Sequence, residues 1–450
     1  MKFLRIKIFS FLVILSTLFC VFSVFSFADT TESSSVDASH TNAVCLYNLN
    51  TNKVVYGKNT TKKIFPGSTV KMMTGLIACE RLSDRLDEVI VIGEEMLEYN
   101  SGANIKLKAG MSVTVENLLY GALCGGGNDA SLVLSYVCAG SVEGFVALMN
   151  EKASALGMRN TLYINPTGLD DEGMYSTVSD TVALARYASQ NKLYLDITST
   201  ANYEFTPIGE SDSIKIYNRN SLISNFYAFG YTNPNAQGLI AGNTDLGGYC
   251  VVTFVEKRET QYICAVMGAE RDDETIYSYK IANDLISYAF DNFVYTKIAE
   301  AGSYVCTSPV RYVTPGIDTD LSTVRCVIKD DVYALADSAF SNDEKLEYRY
   351  YLHRDALDAP VKAGTIVGGV DIIYDGEYVG SAVLVTEAAV EATGLLIFLK
   401  GMRSLLTSLS FWGTVISFSA MLCAYLYLSN IRNRRRIEKR IERRISRRRR

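Results

Sequence analysis

The sequence predicts an α+β domain with helices around an antiparallel sheet, followed by a small all-β domain and one transmembrane helix. Three observations carry this. Apolar residues recur at helical spacing in Val70–Leu82, in Val115–Leu123 and in 182–188. Alternating segments that read as hairpins stand at both ends of the first domain. Past Ala301-Gly302 only short alternating segments remain, until an uncharged apolar run occupies 404–430.

In chain order, Lys2, Arg5 and Lys7 precede an apolar run from Ile8 to Phe27, and Ser26-Phe27-Ala28 offers small residues for cleavage. This predicts a signal peptide over 1–28, with an uncleaved anchor as the alternative. DTTESSSVDAS is polar and predicts a linker over 29–41. The main domain is placed at 42–299. It opens on a hairpin (NAVCLYNLNTNKVVYGKN) and ends with two strands in GGYCVVTFVEKRETQYICAVMGAE and a helix over 276–293.

The β domain is placed at 300–386, its last hairpin turning on Asp375-Gly376. A juxtamembrane segment (387–403), a span (404–430) and a basic tail (431–450) follow. The tail holds twelve Lys or Arg against two Glu, so it is expected in the cytoplasm with the bulk of the protein outside. The overall charge of −5 conceals this split, because the exported part is strongly acidic. Anionic lipid is the natural partner of the tail, whose simplest role is to stop transfer. Nucleic acid is excluded as a partner, since no aromatic residue interleaves the arginines.

Only two histidines are present, His40 and His353, which argues against a Ser-His-Asp triad and a histidine-rich metal site. The ten cysteines form no C-x-x-C pair, so no metal or other cofactor is expected and buried thiols or an isolated bridge are. A serine enzyme built on this chain needs lysine as its base.

KIFPGSTVKMMTG meets that need with Ser68 three residues before Lys71, where side chains share a helix face. The spacing alone is weak: Ser189 and Lys192 repeat it, and Ser68 could equally cap the helix. As a site, the helix dipole would favour alkoxide character at Ser68, and burial would lower the lysine pKa until a neutral amine accepts the proton.

FPGSTVKMMTGLIACE, SVTVENLLYGAL...GGGNDAS, INPTGLDDEGMYSTVSD, NRNSL and the late strands together resemble the low-molecular-weight penicillin-binding proteins, serine-type D-alanyl-D-alanine carboxypeptidases that trim peptidoglycan stem peptides. The resemblance spans nearly the whole chain. It implies a penicillin-binding/β-lactamase-like transpeptidase fold, acylation at Ser68 with Lys71 as base, stem peptides as ligands and β-lactams as possible ones. A backbone oxyanion hole would use the N–H of Ser68 and one on a strand edge.

Two motifs depart from the pattern. The second, Ser-x-Asn, retains Asn128 but has Gly126 at the relay serine. The third, Lys-Thr-Gly, aligns with Ile240, Ala241 and Gly242, so both polar side chains are replaced. Lys108-Ala109-Gly110, read as a strand, and Lys362-Ala363-Gly364 do not suit the role; Asn243 and Thr244 are stand-ins or plain turn residues. These losses predict an apolar groove beside Ser68 where a carboxylate once docked, and Gly125-Gly126-Gly127 predicts a floppy loop. The residues therefore favour an impaired carboxypeptidase. A non-catalytic peptidoglycan-binding or scaffolding protein is the alternative, and a β-lactamase fits less well because of the second domain and the span.

Overall fold

The structure is a computed structural model and describes residues 36–448 apart from 312, 314–322, 339–345, 375 and 393. The signal segment, most of the linker, and Asp375 of the proposed hairpin turn lie outside the described residues. The chain divides into two units: one up to Thr296 together with Ala334–Phe340, the other Lys297–Tyr333 together with Ser341–Arg450.

The first unit is built on a five-stranded sheet. Its strands come from both ends of the unit: β1 (Thr41–Asn48) and β2 (Lys53–Lys58), then, far downstream, β7 (Ala236–Thr244), β8 (Gly248–Lys257) and β9 (Thr260–Ala269). The order is β2-β1-β9-β8-β7, with all neighbours antiparallel, so β7 is an edge. Side chains alternate across the central strands, as the pleat requires. On β9, Ile263, Ala265 and Met267 face one core while Tyr262, Cys264 and Val266 face another. The alternation of a two-sided buried strand is thus apolar to apolar.

The second of these cores is closed by the helix α7 (Tyr277–Asn292). The first is closed by α1 (Val70–Leu82), α2 (Val115–Leu123), α3 (Asn128–Ala139), α4 (Val142–Ala155), α5 (Val178–Ala188) and α6 (Lys192–Thr198). Thr114, Ser141, Thr177 and Asn191 each accept a backbone N–H at the start of α2, α4, α5 and α6, which is why those helices begin where they do. Helix α1 is buried nearly all round, as an interior helix must be apolar on every face. Two short pairs complete the unit: β3 (Val89–Val91) with β4 (Ser112–Thr114), and β5 (Asn202–Phe205) with β6 (Ile214–Tyr217).

Two expectations are corrected here. Lys108-Ala109-Gly110 lies in a turn before β4, with Gly110 at φ +86°, and is not strand. The end of the expected linker is packed: Ala38 is buried and Val36 lies against the α7-side core, while Lys58 Nζ donates to the carbonyls of Ala38 and Thr41 at 2.5 and 2.8 Å.

In the second unit the sheet order is β14-β16-β17-β12-β11-β15, from β11 (Tyr304–Arg311), β12 (Thr323–Ile328), β14 (Leu346–Leu352), β15 (Leu357–Asp358), β16 (Ile366–Tyr374) and β17 (Glu377–Thr386). β10 (Phe293–Ala299) and β13 (Val332–Asp337) each lie across the division of the chain. Two helices end the chain, α8 (Gly394–Thr407) and α9 (Leu409–Arg448), and the break between them falls inside the expected span. Its cause is local: Ser408 Oγ accepts the Phe411 N–H at 3.1 Å and so starts a new helix. The segment Leu409–Ile441 is long and apolar enough to cross a membrane.

Candidate active site

Ser68 sits in a tight 3-10 turn, Gly67–Thr69, that runs directly into α1. Gly67 enters it at φ +51°, where an L side chain is strained and a Cβ would also stand 3.1 Å from Thr244 Oγ1. No side chain caps either helical turn, so the capping alternative for Ser68 falls away. Across from it lies Gly242 on the edge strand β7. A Cβ on Gly242 would come within 2.5 Å of Ser68 Oγ and 2.6 Å of its Cβ, so glycine is what lets the strand edge lie against the hydroxyl.

One turn on, Lys71 is only 3% exposed. Its Nζ donates to the carbonyl of Thr167 at 2.5 Å. Burial among apolar neighbours, assisted by the positive charge of Arg219 and opposed by Asp129, pulls its pKa down to about 7. A neutral amine is therefore accessible near neutrality. The second Ser-x-x-Lys copy lacks this geometry: Ser189 follows the end of α5 and Lys192, which begins α6, is exposed and paired with Asp196.

The loop that supplies the Thr167 carbonyl comes from INPTGLDD. Asn165 Oδ1 accepts from Thr167 N, Thr167 Oγ1 and Gly168 N at 3.1, 2.9 and 2.7 Å, which folds the loop on itself. Gly168, at φ +75°, approaches so closely that a Cβ there would be 2.0 Å from the Gly67 carbonyl oxygen. Asp170 then ties the loop to the turn after β7, accepting from Thr244 Oγ1 at 2.7 Å and Leu246 N at 2.8 Å. Thr244 also accepts from Gly247 N, so its hydroxyl is committed to structure.

Asn128 is the first residue of α3 and is buried. Its Nδ2 donates to the Ser101 carbonyl at 2.6 Å, while Oδ1 is buried without a hydrogen-bond partner among the described residues. A buried orphan acceptor is costly unless something fills it. The preceding glycines are not floppy, and that expectation is corrected. All three are buried, and a Cβ on Gly125 would meet the Gly121 carbonyl at 2.8 Å, on Gly127 the Asp129 carboxylate at 2.6 Å. They are small because the loop is packed.

Gly126, the position of the missing serine, explains itself differently. A Cβ there would stand 2.7 Å from Arg219 Cδ and 3.0 Å from its Nε. The arginine stem occupies the space of the absent side chain, with Nε donating to the Gly125 carbonyl at 2.8 Å and the guanidinium 4.9 Å over the Tyr227 ring. In sequence Arg219 stands only as the arginine of NRNSL, 93 residues from Gly126, and no local signal links the two.

Ile240 and Ala241 are 2% and 4% exposed and pack into the two cores on opposite faces of β7. They bring no polar group to the site. The structure thus sets Gly242 against Ser68, buries Lys71 one turn further on against the Thr167 carbonyl, and sets Gly126 beside Arg219, whose charge reaches Lys71. Among the described residues no cluster of His, Cys, Asp or Glu could hold a metal.

The chain is similar to known proteins along most of its length. Residues 29–271 match the family described as D-alanyl-D-alanine carboxypeptidase, and residues 293–392 match the C-terminal domain of penicillin-binding protein 5. The D-alanyl-D-alanine carboxypeptidase DacF of Bacillus subtilis is 27% identical over 81% of this chain and 89% of its own. DacA of Escherichia coli K12 is 27% identical over 76% of this chain and 81% of its own. Among solved structures, penicillin binding protein 5 of Haemophilus influenzae is similar with a TM-score of 0.60 at 25% identity, covering 80% of this chain and 99% of that one. The carboxypeptidase DacD of Francisella tularensis shares the fold, with a TM-score of 0.62 at 22% identity over 81% of this chain and 96% of that one.

Proposed function

Because the chain belongs to the D-alanyl-D-alanine carboxypeptidase family, we propose that it is a membrane-anchored, extracytoplasmic protein whose Ser68 is acylated by peptidoglycan stem peptides, with carboxypeptidase turnover impaired. The observation that carries this is the buried Lys71 with a pKa near 7, one turn from an uncapped serine. Lys71 Nζ takes the Ser68 hydroxyl proton as Oγ attacks the carbonyl carbon of the penultimate D-alanine. Negative charge on the former carbonyl oxygen is met by the N–H of Ser68 and by one on the edge of β7. The C–N bond then breaks, its nitrogen takes up a proton, and water releases the acyl group from Ser68.

The impairment follows from what replaces the two motifs. A proton relay contributes about two to four decades of rate, and Gly126 has no hydroxyl. A charge-assisted contact to a carboxylate contributes about 1.5–3 kcal/mol, and Ile240 and Ala241 make none. The buried, apolar state of those two residues also favours a second reading, a pseudoenzyme that binds or scaffolds peptidoglycan without turnover. In both readings the uncharged part of α9, up to residue 430, spans the membrane and its basic end from 431 on lies in the cytoplasm near anionic lipid. Fluorescent penicillin should label the wild-type protein and not Ser68→Ala. No labelling of wild type at saturating probe would leave only the second reading.

A further inference from the structure

We propose that Cys306 and Cys326 are a disulfide-forming pair, a cross-strand dithiol of the second unit that exchange with a disulfide donor converts to a covalent bridge. The extracytoplasmic placement enters only as the place where such a donor is met, and the acyl-serine reading is not needed.

The first support is register. Strands β11 and β12 run antiparallel within the second unit, and Cys306 stands directly opposite Cys326. Residues so placed point to the same face of the sheet, with Cα atoms about 4.5–5.5 Å apart. That lies inside the separation of about 4.4–6.8 Å that a disulfide spans. Both thiols are free in the structure and both are buried, Cys306 at 4% exposure and Cys326 at 0%. Each is within hydrogen-bonding reach of the other. The first sheet offers a contrast. Cys45 and Cys264 sit on the neighbouring strands β1 and β9, but Cys45 is opposite Ala265 and Cys264 is opposite Leu46. They face different cores and cannot meet.

The second support is the order of reaction that the surroundings set. Burial raises both thiols above their ordinary range, Cys326 to about 12, and the hydrogen bond between them offsets part of the rise at Cys306 alone. Cys306 is therefore the attacking group and Cys326 the resolving one. Strand β15 pairs with β11 only at Val310 and Arg311, so at Cys306 the strand has β12 as its one paired neighbour among the described strands. Fraying of that edge admits the donor.

In the first step the Cys306 thiolate attacks one sulfur of the donor, whose S–S bond breaks and releases a thiolate. The Cys326 thiolate then attacks the Cys306 sulfur of the mixed disulfide and releases the second. The two cysteines are oxidised, the donor disulfide is reduced to two thiols, and the two cysteine protons end on those thiols. The bridge closes over the 19 intervening residues 307–325 and fastens β11 to β12. It stabilises chiefly by restricting the unfolded chain.

The test uses the full chain in detergent micelles, incubated with oxidised glutathione at a pH of about 8.5, where more thiolate is present. Remaining thiols are alkylated in denaturant, and the unreduced digest is read by mass spectrometry. The peptides carrying Cys306 and Cys326 should be joined to each other, short of two hydrogens, with the other cysteines alkylated. Oxidation should raise the melting temperature of the second unit by at least about 5 °C, and dithiothreitol should reverse the rise. Cys326→Ser should hold glutathione on Cys306, and Cys306→Ser should take up about tenfold less. Alkylation of both residues in the treated wild type, or their linkage to other cysteines, overturns the proposal. That linkage map needs no variant, so a serine variant that fails to fold leaves it decisive. Cells quenched in acid before alkylation test the surroundings separately. A bridge formed in the purified chain but absent from cells supports the pair and counts against the extracytoplasmic placement.

Discussion

Two stretches that the family resemblance aligns with polar motif residues, the loop at Gly126 and the strand β7, are filled in different ways. On the loop wall, the space at Gly126 is occupied by a charged side chain arriving from elsewhere in the chain, Arg219. On the strand wall, Ile240 and Ala241 extend the hydrophobic cores on either face of β7. A turn has solvent on one side and can admit a long amphipathic side chain whose head stays polar. A strand buried on both faces has no such outlet, so apolar replacements are what fit. The contrast sets an arginine stem beside the Gly126 loop and apolar side chains on both faces of β7.

The sharpest break of this picture is at the base. Lys71→Met should reduce penicillin acylation by about three to four decades if the amine takes the serine proton, measured as the second-order labelling rate. In wild type that rate should rise with pH through about 7, as the amine loses its proton. The same depressed pKa means wild-type stability is lowest below about 7 and recovers as pH rises towards the unfolded value of 10.5. Lys71→Met should therefore melt at or above wild type at pH 6, with the gap closing by pH 10.

Next in size is the strand wall. Gly242→Ala puts a methyl 2.5 Å from Ser68 Oγ and 2.6 Å from its Cβ, so it should cost about two decades of labelling and about 1–3 kcal/mol of stability. A rate within twofold of wild type would show that the β7 edge is not where the ligand lies.

The loop wall should respond in stability before chemistry. Gly126→Ser restores the family's residue yet places a Cβ against Arg219 at φ +63°, so it should destabilise by about 1–3 kcal/mol and fail to raise turnover. Recovery of carboxypeptidase activity in that variant would mean Arg219 yields readily. The smallest effect is expected at Asp170→Asn, which weakens the bonds to Thr244 and Leu246 and should lower stability by about 1 kcal/mol in thermal melts.

Much of this molecule was legible in sequence because its signals are local. Helices α1 and α2 could be read from residue spacing, and the β1–β2 and β8–β9 hairpins from alternation around polar turns. Ser68 and Lys71 could be paired because three residues on a helix always share a face. The meaning of the glycines was not legible. A Gly-Gly-Gly run has the same composition whether it is loose or packed, and only neighbours remote in sequence, Arg219 above all, tell the two apart. Asp170 escaped for the same reason, since its partners lie 74 and 76 residues away.

By itself, the order of amino acids determined the family, the candidate serine and lysine, the α+β character and the apolar C-terminal helix, all of which depend on spacing along the chain. Only the tertiary structure decided that the amine is buried enough to be neutral near pH 7, that the serine caps nothing, and that a distant arginine stands where a hydroxyl is missing. Those three are matters of desolvation and of occupied volume, and volume is shared by residues that the sequence keeps far apart.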